Sequence, residues 1–170
     1  TVNSGTVSAI GAGLFKIGGN LAVGTGGTVT GPGNVQLYGT AKTLGGLGSS
    51  SFSDLAINGA ITLAGNITVT NVLTIMPMGI FSAATYTITL SGTDTTFVHA
   101  GATFNNQSGT ISYTGATANI ASTTYSNLTV GIGTYTMLAA TTVTGTLTNA
   151  GTLNATSTIT LSGSGTPFAN

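Results

Sequence analysis

The sequence predicts an all-β fold, a parallel β-solenoid, on three observations. Short runs alternate apolar and hydroxyl residues with period two, as in Ile61-Thr62-Leu63, Ile67-Thr68-Val69 and Thr87-Ile88-Thr89-Leu90, the pattern of half-buried strands. Gly and Asn punctuate these runs, and no helical stripe interrupts them. Much of residues 124–168 repeats residues 51–97: Tyr125-Ser126-Asn127-Leu128-Thr129-Val130 answers Phe52-Ser53-Asp54-Leu55-Ala56-Ile57, and Thr158-Ile159-Thr160-Leu161-Ser162-Gly163 answers Thr87-Ile88-Thr89-Leu90-Ser91-Gly92. Self-similarity at a fixed period, here about 73 residues, is the mark of stacked repeats.

Along the chain the similarities divide one domain, 1–170, into a partial repeat at 1–34 and fuller ones at 35–109 and 110–170. In the first, Gly19-Asn20-Leu21-Ala22-Val23 matches Gly65-Asn66-Ile67-Thr68-Val69. The next two open on Asn34-Val35-Gln36-Leu37-Tyr38-Gly39 and Thr110-Ile111-Ser112-Tyr113-Thr114-Gly115. Stacking predicts that Leu55, Ile57, Ile61, Leu63, Ile67, Val69, Leu73, Ile88 and Leu90 point inward, as do Leu128, Val130, Tyr135, Met137, Val143, Leu147, Ile159 and Leu161. Gly18-Gly19, Asn58-Gly59, Gly92, Gly115 and Gly163 mark turns, where such residues accept positive φ. Pro32, Pro77 and Pro167 fall in turns or at strand ends. The alternative fold is a pilin-like β-sandwich completed by an N-terminal donor strand, residues 1–10, which leaves the repeat unexplained.

Charge narrows the function. Lys16, Lys42, Asp54 and Asp94 are the only charged residues of 170, with His99 the one group titrating near neutrality, against about a quarter charged in ordinary domains. Such a chain lacks the basic footprint that nucleic acid or an anionic membrane requires, and little repulsion keeps its copies apart. Thr, about a fifth of the residues, supplies much of the polar surface. Every apolar run is broken by Gly, Asn, Thr or Ser, so no membrane-inserted helix is expected. There is no Cys for a disulfide or thiolate site.

The two copies of aromatic-Ser-Asn/Asp-Leu-x-Val/Ile and of Thr-Ile-Thr-Leu-Ser-Gly resemble the Thr-, Gly- and Asn-rich β-solenoid repeats of microbial cell surfaces, including adhesin-type passengers. The resemblance spans nearly the whole chain. It implies an extracellular or cell-surface, elongated, usually non-catalytic module, and supplies no site residues.

Candidate chemistry is sparse. A paired-carboxylate mechanism would need both Asp54 and Asp94, yet their repeat counterparts are Asn127 and Gly165. A hydrolytic triad would need His99, which neighbours the Ala100-Gly101 turn, and no Gly-x-Ser-x-Gly elbow is present. No His or Cys cluster suggests a metal, and Gly24-Thr25-Gly26-Gly27 lacks the Lys of a phosphate loop. No enzyme activity and no cofactor is expected. Four Asn-x-Ser/Thr triplets, at Asn66, Asn106, Asn127 and Asn154, are candidate glycan acceptors. Thr68/Thr70, Thr142/Thr144, Thr146/Thr148 and Thr158/Thr160 present pairs of hydroxyls on one strand face. If stacked coils made these a flat array, it could order water or bind ice.

The chain starts at Thr1 rather than Met, as expected of a processed, exported segment. Neither end is charged like a solenoid cap. Phe168 aligns with Phe97 and Thr1 with Thr103, so a second copy would almost continue the first. The expectation is self-association into a head-to-tail extracellular filament, with Thr1, Val2, Val7 and Ile10 at one assembly end and Pro167 and Phe168 at the other. An adhesin or stalk module of a larger surface protein, contacting glycans or another surface ligand, is the alternative.

Overall fold

A computed structural model describes residues 5–8, 13–164 and 167–170. Strand Gly27–Gly46 shows how the chain coils: its first part pairs with strand Gly5–Ser8, its middle with Leu14–Ile17 and its last part with Leu21–Val23. One passage of chain thus lays three strand positions over the coil before it, and three faces result. Strand Ser49–Leu63 repeats the move, with register shifts between Gly31 and Asn34 and between Gly39 and Lys42 where the chain leaves one face for the next. Every strand pairing among the described residues is parallel. The fold is the expected all-β parallel solenoid, of about eight turns. This overturns the sandwich alternative, which is built from antiparallel sheets.

The first face carries strands Ile67–Val69, Thr87–Leu90, Thr110–Tyr113, Asn127–Val130, Leu147–Asn149 and Phe168–Ala169 above Ser49–Leu63. On the second face Leu73–Ile75 lies below Phe97–Val98, and the preceding Asp94–Thr95 pairs beneath Thr117–Ile120, which Thr134–Met137 and Thr152–Ala155 follow. The third carries Ile80–Ser82 and Thr103–Asn105, then Thr124–Tyr125, Thr141–Val143 and Ile159–Leu161. Coils are uneven in length, 17 residues from Ser51 to its partner Thr68 and 23 from Thr89 to Ser112. The corners absorb the difference.

Period-two alternation sends every second residue into one continuous core. On the first face Ile67, Ile88, Ile111, Leu128 and Leu147 stack in one column, and Val69, Leu90, Tyr113 and Val130 in the next. All the residues expected inside are buried except Ile159 and Leu161, which are half-buried in the last coil because no coil covers them. Burying each such aliphatic side chain contributes about 1.5–3 kcal/mol, set against the entropy of ordering the chain.

Three tyrosines enter this core in the second half, and their hydroxyls are satisfied within it. Tyr125 donates to Ala121 O at 2.7 Å, leaving Tyr113 to donate to Tyr125 across 3.1 Å, while Ala121 N–H donates to Tyr113 at 3.2 Å. Tyr135 donates to Gly115 O.

The expected turn glycines sit at corners, but for a different reason. Gly59, Gly92, Gly115 and Gly163 do not adopt positive φ; among the described residues that conformation falls to Gly5, Gly26, Gly39, Gly45, Gly46 and Gly101 and to Ala41, Met78, Ala84, Asp94 and Gln107. A Cβ at Gly115 would overlap the carbonyl oxygen of Gly92 in the coil beneath, and one at Gly163 that of Gly145. Coils stacked one strand spacing apart, about 4.8 Å, leave no room there for a side chain.

The 73-residue similarity is not a whole number of coils. Phe52 lies at the end of a first-face strand with Val69 above it, whereas Tyr125 lies on the third face beneath Val143. Likewise Thr87–Leu90 is a first-face strand and Ile159–Leu161 a third-face one. The copies are related by three coils and two faces, so the repeated segment describes a corner and its flanking strand, usable on any face.

Candidate functional site

Asp54, Asp94 and His99 are not brought together. Asp54 Oδ1 accepts from Asn71 Nδ2 at 2.7 Å on the second face. Asp94 is exposed, in the left-handed conformation with φ 59°, its strand paired with Thr117–Ile120. His99 Nε2 lies 3.1 Å from Ser122 O, its ring tilted against Phe97 at 5.1 Å. No group of three or more His, Cys, Asp or Glu able to hold a metal occurs among the described residues. No helix among them is long and apolar enough to cross a membrane.

The four candidate glycan acceptors fall into different settings. Asn154 is exposed. Asn66 is exposed too, with Oδ1 accepting from Thr87 N–H at 2.8 Å. Asn127 is tied at both amide atoms, Oδ1 to Thr146 N–H and Nδ2 to Ser108 O and Gly109 O. Asn106 is only 5 % exposed, leaving no space for a glycan on the folded chain.

Of the assembly residues, Thr1, Val2 and Ile10 lie outside the described residues. Val7 pairs with Val29 through the first-face strand Gly5–Ser8. At the far end Pro167 O accepts Leu147 N–H at 2.7 Å, and Phe168 caps the column above Leu147 while remaining 48 % exposed. Beside it a depression of about 330 Å³ is lined by Leu147, Asn149, Leu153, Ile159, Leu161 and Phe168. At the near end Phe15, in register with the inward Val35, is 45 % exposed, whereas Leu14, 53 % exposed, stands on the outward column of Asn34 and Asp54. Both ends of the described solenoid therefore present core columns without a covering coil.

The hydroxyl pairs lead to the most regular surface of the molecule. Thr146 and Thr148 stand on the first face, where Thr68 also stands, whereas Thr142 and Thr160 stack on the third. Thr70 and Thr144 lie past the strand ends and turn their hydroxyls back onto Phe52 O and Tyr125 O. Parallel register places Thr30, Ser51, Thr68, Thr89, Ser112, Thr129 and Thr148 in one unbroken outward column. Two residues earlier on each strand run Thr28, Ser49, Asn66, Thr87, Thr110, Asn127 and Thr146. Most of this array escapes a search for Thr-x-Thr, because Ser and Asn replace Thr at several positions and the coil length varies.

No protein-family model, no curated protein and no solved structure matches the chain.

Proposed function

We propose that the chain is a structural, non-enzymatic subunit of an extracellular filament that grows head to tail by coil-on-coil strand pairing. The carrying observation is the pair of open ends. At one, Phe15, in register with the inward Val35, is exposed beside the edge strand Gly5–Ser8; at the other, Ile159, Leu161 and Phe168 border the uncovered depression. An uncovered parallel edge offers unpaired N–H and C=O groups to another strand. Two of the three faces offer matching edges, Leu14–Ile17 over Thr152–Ala155 and Leu21–Val23 over Ile159–Leu161, while on the first face Phe168–Ala169 already adds a strand at the level Gly5–Ser8 would take, so the seam is stepped there. This edge pairing replaces the phase match of Phe168 with Phe97 as the support, since those residues lie on different faces. A heterologous contact of this kind that does not close gives an open fibre.

The near absence of charge fits this reading, because neither backbone pairing nor an apolar seam needs ion pairs. Flanking coils of the same polypeptide could cover the same ends, making the segment part of an adhesin or stalk.

Electron microscopy and sedimentation of the 170-residue chain over a range of concentrations test the proposal. The expected result is unbranched fibres one solenoid wide, growing with concentration and abolished by Leu161→Lys. Monomers at every concentration overturn it in favour of the stalk reading.

A further inference from the structure

The first-face hydroxyl array is a two-dimensional lattice, and we propose that it binds ice. Coil stacking sets the repeat along each column at about 4.8 Å, and two strand residues separate the columns by roughly 6.6 Å. From Thr28 and Thr30 to Thr146 and Thr148 the lattice runs across seven coils without a charged or aromatic side chain. Lys16 and Asp54 belong to second-face strand positions, and Lys42 pairs with Ile61 on the third.

Each physical feature of this face suits a crystalline water surface. Threonine is stiff at χ1, and most array residues are half-buried between like neighbours above and below, so the hydroxyls hold fixed positions. The residue between the two columns points inward, leaving a trough whose floor includes Ser50 and Ile67. Around Ser49, Ser51, Asn66, Thr68, Thr87 and Thr89 the face opens into a depression of about 460 Å³, with Gly48 and the exposed Leu47 at its edge. Water takes about 30 Å³ per molecule and needs two to four polar partners. The flanking hydroxyl columns provide these, so files of water along the trough carry the coil repeat outward as an ordered layer.

A charged face would hold water around its own ions. A carbohydrate platform would present an aromatic ring, and none lies on the array. A second copy of the chain would gain little by burying hydroxyls. A charge-free lattice of regularly spaced polar side chains suits the ordered water of an ice surface, and this inference does not depend on filament growth.

The test is partition of fluorescently labelled protein into a slowly growing ice front, together with the shape of single ice crystals. The unmodified chain is expected to enter the ice and facet the crystals. Thr89→Tyr and Thr129→Tyr, at the middle of the array, should abolish both effects while circular dichroism still shows the native strands. Thr62→Tyr, exposed on the third face, should leave them intact. If one array variant fails to fold, the exposed Thr30→Tyr takes its place. Exclusion of the unmodified chain from ice overturns the proposal. So does equal loss in the Thr62 variant, or binding to insoluble polysaccharide without binding to ice.

Discussion

Asn66 Oδ1 accepts the backbone N–H of Thr87 at 2.8 Å, tying the start of one first-face strand to the start of the strand above it. The same bond recurs from Thr43 N–H to Asn20, at 3.1 Å, and from Thr146 N–H to Asn127, at 3.1 Å. Asn20 precedes a third-face strand, whereas Asn66 and Asn127 serve the first face. The corner device is therefore independent of the face it serves, which is why sequence similarity crosses faces.

Asn66→Ala removes one exposed coil-to-coil bond and should cost about 0.5–1.5 kcal/mol in urea unfolding. Asn127→Ala also removes the donors to Ser108 O and Gly109 O and should cost more. Equal midpoints for the two variants would contradict this account of the corner.

Gly115→Ala should destabilise by about 1–3 kcal/mol, because its Cβ meets the Gly92 carbonyl and the stacked backbone cannot yield cheaply. Gly19 has open space at its Cβ position and no positive φ. Gly19→Ala should stay within about 0.5 kcal/mol of the parent. Thermal midpoints of the pair measure the contrast.

Ser50 occupies an inward position between Val29 below and Ile67 above, and its buried Oγ has no hydrogen-bond partner. Ser50→Val should raise stability by about 1 kcal/mol, since an unpaired buried hydroxyl is lost and the apolar column becomes continuous. Leu128→Ala in the same column should cost about 2–5 kcal/mol. A lower urea midpoint for Ser50→Val would show that the site cannot take the added volume.

Burial pushes the Tyr113 hydroxyl up to about 12 and raises Tyr125 well above its ordinary value. Above about pH 10 the unfolded tyrosines release protons that the folded ones keep. The unfolded state then binds fewer protons, so stability falls as pH rises. With so few other ionisable groups, unfolding free energy should be nearly flat from about pH 5 to 9 and decline from about pH 10 upward. A steep change between pH 5 and 9 in denaturant titrations would contradict this.

Much of the core was legible in the sequence, because alternation in a strand fixes which residues share a side. Leu55, Ile57, Ile88, Leu90, Leu128 and Val130 needed no further information to be placed inside. The hydroxyl array shows in the sequence only at pairs such as Thr146/Thr148, since members of a column are neighbours in space but lie 17 to 23 residues apart in the chain.

Local alternation and composition are enough to dictate an all-β chain, short strands, an inward apolar set and a surface almost without charge. The coil of about 20 residues, the assignment of each strand to one of three faces and the role of the corner glycines emerge from coil stacking. A period of two distinguishes inside from outside but carries no mark of which face a strand occupies. That choice depends on how many residues each corner takes, and the parallel register of the coil beneath fixes it.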